Sequence, residues 1–176
     1  MQHGHLDQVG YDTYCKLLDE VVKEEKGIKQ EEELDVLIDI NVSSYIPDTY
    51  IENNSQKIEV YQAIALCRTD EDINKIIEDT VDRFGKIPEE ALSLIEIARI
   101  KQACMKDGIY KVIEKGQSIV FYFKQELFTF DIAKLIEKYG DRIKFSTGFI
   151  PYLTYKLQNK NNVIEEIEEF LNVNNK

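Results

Sequence analysis

No stretch of this sequence reaches the roughly 18 uninterrupted apolar residues that a membrane-crossing helix needs. Its opening residues, MQHGHLDQVG, hold neither the basic nor the apolar region of a signal peptide. A cytoplasmic location without membrane contact is therefore expected. Cysteine is scarce: Cys15, Cys67 and Cys104 make neither a CxxC pair nor an even-numbered disulfide set, so idle free thiols are expected. Histidine is scarcer. His3 and His5 are the whole supply, and no cysteine or further histidine completes the three or four ligands of a zinc site, so no metal is expected. The 8 glycines open neither a GxxxxGK[ST] phosphate loop nor a GxGxxG turn, which leaves no nucleotide cofactor to place. With no nucleophile, base and orienting group at recognisable spacing, no catalytic residue can be named, and the chain reads as a binding module, not an enzyme.

Charge is abundant, and one sign dominates. Against 22 Lys and Arg stand 33 Asp and Glu, a formal charge of −11. Proteins that neutralise phosphates gain affinity from clustered cations, so direct DNA binding is not expected, and a basic partner surface suits the chain better. At 176 residues with 43% hydrophobic side chains, including 10 Tyr and 8 Phe, there is material for an ordinary core. One monomeric, cooperatively folded domain over residues 1–176 is the expectation.

The apolar pattern alternates between the two periods. Leu6, Val9, Tyr14, Leu17, Leu18, Val21 and Val22 predict a helix over about 6–25, ended by Gly27. Leu34, Val36, Ile38 and Ile40 point one way and Asp35 and Asp39 the other, as in a half-buried strand. Ser55 is a candidate cap for a helix carrying Ile58, Tyr61 and Ala65. Thr69 with Asp72 has capping-box spacing, and Ile73, Ile76, Ile77, Thr80, Val81 and Phe84 form one stripe up to Gly85. Pro88 suits the first turn of a helix running to about 106, apolar around most of its circumference. Ile109–Glu114 and Gln117–Lys124 flank Lys115-Gly116 as a hairpin, and a helix at 132–139 and strands at 142–145 and 152–157 follow. A terminal helix carries Val163, Ile164, Ile167, Phe170 and Leu171. Helices gather early and strands late, which predicts an α+β fold: a helix-rich N-terminal half packed with a small, mostly antiparallel sheet.

Three acidic groups compete for a role. Asp35 and Asp39 are separated by four residues of strand, roughly 13 Å, too far to share a proton. Glu165, Glu166, Glu168 and Glu169 read as the solvated face of the last helix. Glu78, Asp79 and Asp82 are different, because carboxylates in the last turns before Gly85 oppose the helix dipole, each costing about 0.3–1 kcal/mol when exposed. Two readings stand side by side. Asp79 can pair with Arg83 at i,i+4, which recovers about 0.2–0.5 kcal/mol, or this acidic end of the helix, with Glu78, Asp79, Asp82 and Arg83, docks on basic side chains of a partner surface.

Four blocks resemble a known family. Gln2-His-Gly-His-Leu-Asp-Gln-Val-Gly-Tyr-Asp-Thr-Tyr-Cys15, Ile46-Pro-Asp-Thr-Tyr-Ile51 with Tyr61, Asp82-Arg-Phe-Gly-Lys-Ile-Pro88, and Ile97-Ala-Arg-Ile-Lys101 with Gly108-Ile109 are similar, in order and spacing, to the C-terminal domain of bacterial transcription-repair coupling factor. From residue 110 onward only the pattern agrees. The resemblance implies a parent that is a superfamily-two ATPase using ATP and magnesium to move along DNA, displacing stalled RNA polymerase and recruiting UvrA in nucleotide excision repair. It implies for this domain, expected to be excised from that motor, a restraining contact with an N-terminal module like UvrB that hides the UvrA-binding surface. The competing reading is an autonomous small enzyme whose carboxylate site has no recognisable motif.

Overall fold

The alternation at 34–40 is real but its pairing is short. In the computed structural model, which describes residues 34–175, Val36 and Ile38 are buried, Asp35, Leu37 and Asp39 are exposed, and only Leu37–Asp39 forms strand β1. Helix α1 (Asn54–Leu66) is capped by Asn53, whose side chain accepts from the Gln56 N–H at 3.1 Å, so the cap falls two residues before the expected Ser55. Helices α2 (Asp70–Phe84) and α3 (Glu89–Lys106) follow. On α3 Leu94, Ile95, Ile97, Ala98 and Ile100 are all buried, as an apolar circumference requires, while Leu92 is exposed.

The strands β2 (Ile109–Lys115) and β3 (Ser118–Phe123) form the expected hairpin. Its two-residue loop places a positive φ of 60° on Gly116 alone, the signature of a type II′ turn, whose twist suits an antiparallel pair. Helix α4 (Ile132–Tyr139), strands β4 (Ile143–Ser146) and β5 (Tyr152–Lys156) and helix α5 (Val163–Leu171) complete the described chain. The five strands lie in the order β1-β2-β3-β5-β4, antiparallel except for β1 on β2. Among the described residues five helices and this sheet make an α+β fold, as the sequence pattern predicts. Among the described residues no helix is long and apolar enough to cross a membrane.

The described residues fall into two compact units, one comprising 43–99 and the other 34–42 with 100–175. The first is all helix and loop. The second holds the whole sheet, with Ile38, Val112, Phe121 and Leu153 buried on one face. Phe170 of α5 covers that face: its ring stacks on Phe121 at 4.5 Å and meets Phe130, Tyr139 and Tyr155 within 5.7 Å. Gly108, at the entry to β2, has φ +75°, and a Cβ there would lie 2.5 Å from the Leu127 backbone. Both conformation and space demand glycine at this position.

Candidate docking site on helix α2

Helix α2 begins where its sequence says it should. The Asp72 N–H donates to Thr69 Oγ1 at 3.2 Å, and the N–H groups of Thr69 and Arg68 donate to Asp72 Oδ2 at 3.0 and 2.9 Å. These two backbone N–H groups, with the Thr69 hydroxyl contributing, hold the Asp72 carboxyl below its usual range. Asp70, Glu71 and Asp72 all sit in the first turn, where the helix dipole favours them. Ile73 and Thr80 are buried, Ile76, Ile77 and Phe84 half-buried. Val81 departs from the expected stripe and is 42% exposed, because it lies at its edge, next to the carboxylates.

Glu78, Asp79 and Asp82 are exposed, and none makes a hydrogen bond or ion pair with a described residue. The Asp79–Arg83 pair does not form. Arg83 instead reaches Glu59 of α1 at 3.2 Å and lies 4.9 Å over the Phe84 ring, contacts that combine an ion pair with a cation–π interaction. Arg83 is thereby held beside the three carboxylates, not neutralising them.

Segments distant in sequence converge at this end of the helix. The chain turns at Pro47, whose carbonyl accepts from the Tyr50 and Ile51 N–H groups, and this buries Ile46 and Ile51. The Ile46 N–H donates to the Tyr61 hydroxyl at 2.9 Å, and the buried Lys57 ammonium pairs with Asp48. The Tyr50 hydroxyl donates to the Gly85 carbonyl at 2.8 Å, and its ring meets Phe84 edge-on at 6.1 Å. Gly85, with φ +86°, ends the helix. Tyr50 thus ties the turn after Pro47, anchored by the buried Ile46, Ile51 and Tyr61, to the Phe84-Gly85 end of α2.

The other expected groups fall elsewhere. Asp35 and Asp39 are exposed, as a wet strand face should be. Cys67 and Cys104 are buried free thiols. Burial, with the Asp72 carboxylate, pushes Cys67 up to about 11, and burial pushes Cys104 higher still, so neither is a ready nucleophile. Asp107 is buried, which raises its pKa, against the pull of a 2.8 Å bond from the Thr129 hydroxyl. Among the described residues no group of three His, Cys, Asp or Glu side chains could hold a metal. His3, His5, Cys15, the 6–25 helix and the first resemblance block lie outside the described residues.

One acidic residue corrects the sequence reading. Glu166 is 8% exposed, not part of a solvated face. Its carboxylate accepts from the Gln158 and Asn159 N–H groups at 2.8 and 2.9 Å and from the Tyr155 hydroxyl at 2.8 Å, with Arg142 at 3.4 Å. Burial pushes its pKa up, but these donors and the Arg142 charge outweigh that and hold it below the usual range. The signal was present: Glu166 is three residues after Val163 and four before Phe170, on the inward stripe.

Comparison with known proteins points to one family. The family model of the TRCF domain matches residues 40–130, more than half of the chain. Transcription-repair-coupling factors of Staphylococcus haemolyticus (strain JCSC1435) and Staphylococcus aureus (strain USA300) are 37% and 38% identical to it over 120 residues, 67% of this chain. The chain spans 10% of the length of these relatives. A crystal structure of the C-terminal domain of transcription-repair coupling factor superposes with a TM-score of 0.69 at 23% identity, covering 79% of this chain and 91% of that one. With the matched span taking in α1, α2, α3 and the β2-β3 hairpin, the chain belongs to the TRCF domain family and has the fold of that C-terminal domain.

Proposed function

We propose that this chain is the regulatory domain by which a transcription-repair coupling factor restrains itself. In this reading α2 presents Asp79 and Asp82, flanked by Glu78 and Arg83, to arginines of the N-terminal UvrB-like module. Docking masks the UvrA-binding surface and damps ATP-driven translocation until RNA polymerase is engaged. The domain contributes contact, while the parent's motor supplies ATP and magnesium chemistry. The observation that carries the reading is the outward row of carboxylates at the end of α2 that opposes the helix dipole and finds no partner among the described residues. A fold that retains such groups gains if a cationic surface meets them. Beside them Val81 offers apolar area to the same contact.

In a partly desolvated interface, removing one partner of such a pair costs about 2–5 kcal/mol, much of it from stranding the opposite charge. Asp79→Ala with Asp82→Ala in the full-length parent is therefore expected to raise basal UvrA binding and DNA-stimulated ATPase activity. Unchanged UvrA affinity and ATPase in a correctly folded variant would overturn the assignment.

A further inference from the structure

The sheet has one face covered by Phe170 and its neighbours, and a second face that carries Lys111, Lys115, Lys144 and Lys156. Pairing across the strands sets the second face out in rows. Leu37, Lys111, Tyr122, Tyr152 and Ser146 are successive partners from β1 to β4. The next row runs Asp39, Ile113, Val120, Thr154 and Lys144. Beyond it Lys115, Ser118 and Lys156 align, with Arg142 just before β4. One end of the face is aromatic: the Tyr122 and Tyr152 rings are 5.6 Å apart and Tyr110 lies 6.3 Å from Tyr122. The other end is cationic.

A cleft of about 630 Å³ opens at the cationic end, lined by Ser118, Arg142, Lys144, Thr154 and Lys156. Lys144 and Lys156 are exposed and have no carboxylate partner among the described residues. Arg142 is fixed, its guanidinium bonded to the Tyr155 hydroxyl at 2.6 Å and the Lys156 carbonyl at 3.1 Å and paired with Glu166 at 3.4 Å. Two exposed ammonium groups and the hydroxyls of Ser118 and Thr154 are a donor set that a phosphate group takes, with Lys115 in line with Ser118 and Lys156 as a third cation. Asp141 at the rim is the one carboxylate of the lining.

We propose that this face binds single-stranded nucleic acid, the cleft taking backbone phosphates and the tyrosine row stacking unpaired bases. Two features separate this occupant from an acidic protein segment, which the cleft alone would also suit. The tyrosines present rings beside the cations, and aromatic side chains interleaved with positive charge on a sheet are how bases are held without sequence readout. Rows on one face of a sheet are about 7 Å apart, so Lys144 stands one row and Lys156 two rows from the tyrosines, about 7 and 14 Å, and a strand whose base stacks on Tyr152 passes its own phosphate to Lys144 and the next to Lys156. A duplex hides its bases from the tyrosines and engages only the cleft. The formal charge of −11 counts the whole chain, but at 0.1 M salt charges beyond about 10 Å are largely screened, so the local cluster governs a contact made at low to moderate salt.

The experiment is a fluorescence-anisotropy titration of the 176-residue chain with a labelled oligothymidylate of about twelve nucleotides, its duplex counterpart, and polyglutamate as competitor. Binding of the single strand is expected to exceed that of the duplex and to fall about tenfold or more between about 50 and 200 mM salt, since three phosphate contacts give a slope near −2. Lys144→Ala with Lys156→Ala should reduce the slope by about 1.4, and Tyr152→Ala should weaken binding about tenfold without changing the slope. All three side chains are exposed, and circular dichroism confirms that the variants fold. No single-strand binding at low salt, equal affinity for the duplex, equal displacement by polyglutamate, or indifference to Tyr152→Ala would each overturn the proposal.

Discussion

The two units are stabilised by different chemistry. In the helical unit, apart from the buried Lys57 ammonium on Asp48 and the Ile46 N–H on the Tyr61 hydroxyl, the polar contacts lie at the surface: the Thr69 capping box, Arg83 with Glu59, and Arg99 with Asp70 at 3.0 Å and Glu96 at 3.3 Å. Exposed pairs of this kind contribute about 0–1 kcal/mol each. The sheet unit places its polar network inside, with Glu166 buried against a run of stacked rings. A buried carboxylate with four donors has no substitute partner if one is lost, whereas a surface pair is replaced by water. Adaptable surface chemistry is therefore free to change in the first unit, and the second is constrained from within.

The largest effect is expected where that interior is densest. Phe170→Ala removes the ring that touches Phe121, Phe130, Tyr139 and Tyr155 and should cost about 3–5 kcal/mol. Urea unfolding gives the magnitude, and hydrogen exchange should localise the loss to the sheet unit. Equal loss of protection in α1 and α2 would dissolve the contrast.

Glu166→Gln comes next, at about 2–3 kcal/mol near neutral pH, because it keeps the shape but removes the charge that four donors address. The sign with pH follows from its lowered pKa. A depressed carboxylate contributes stability above its unfolded value, about 4.3, and loses it as pH falls through the folded value. The gap between wild type and variant should therefore be widest at neutral pH and narrow below about pH 4. A constant gap from pH 7 to pH 3 would show that shape, not charge, is what Glu166 supplies.

Thr69→Ala should cost about 1 kcal/mol by opening the capping box, with lost protection confined to the first turns of α2.

The capping box was legible because its two residues are three apart and its chemistry is local. The same holds for Gly116 in the hairpin loop and for the stripe of α5. Strand β1 read longer than it is, since alternation reports which side chains turn inward and not how far a neighbouring strand pairs. Val81 was misread because it stands at the edge of the α2 stripe, where a small rotation decides exposure. The cationic face was illegible for a deeper reason. Lys111, Lys144 and Lys156 belong to three different strands, and only the register that pairs Tyr122 with Tyr152 and Lys144 with Thr154 gathers them. Composition averaged their charge into a strongly acidic total. Asp79 and Asp82 could be singled out in sequence because the helix end they oppose is marked by Gly85.

The smallest expected effect belongs to those carboxylates. Asp79→Ala with Asp82→Ala should change the stability of the isolated chain by no more than about 0.5 kcal/mol, since both are exposed. A thermal melt checks this. A large loss would make them structural and erase the distinction between a surface free to regulate and an interior that is not.

Glu166 also imposes an order on synthesis. Arg142 and Tyr155 leave the ribosome before the carboxylate that receives their donors, and so do the Gln158 and Asn159 N–H groups. Until α5 emerges, β4 and β5 can pair but their polar edge faces water and the ring of Phe170 is absent. The interior of the sheet therefore stays open until α5 is made, and α5 is what closes it.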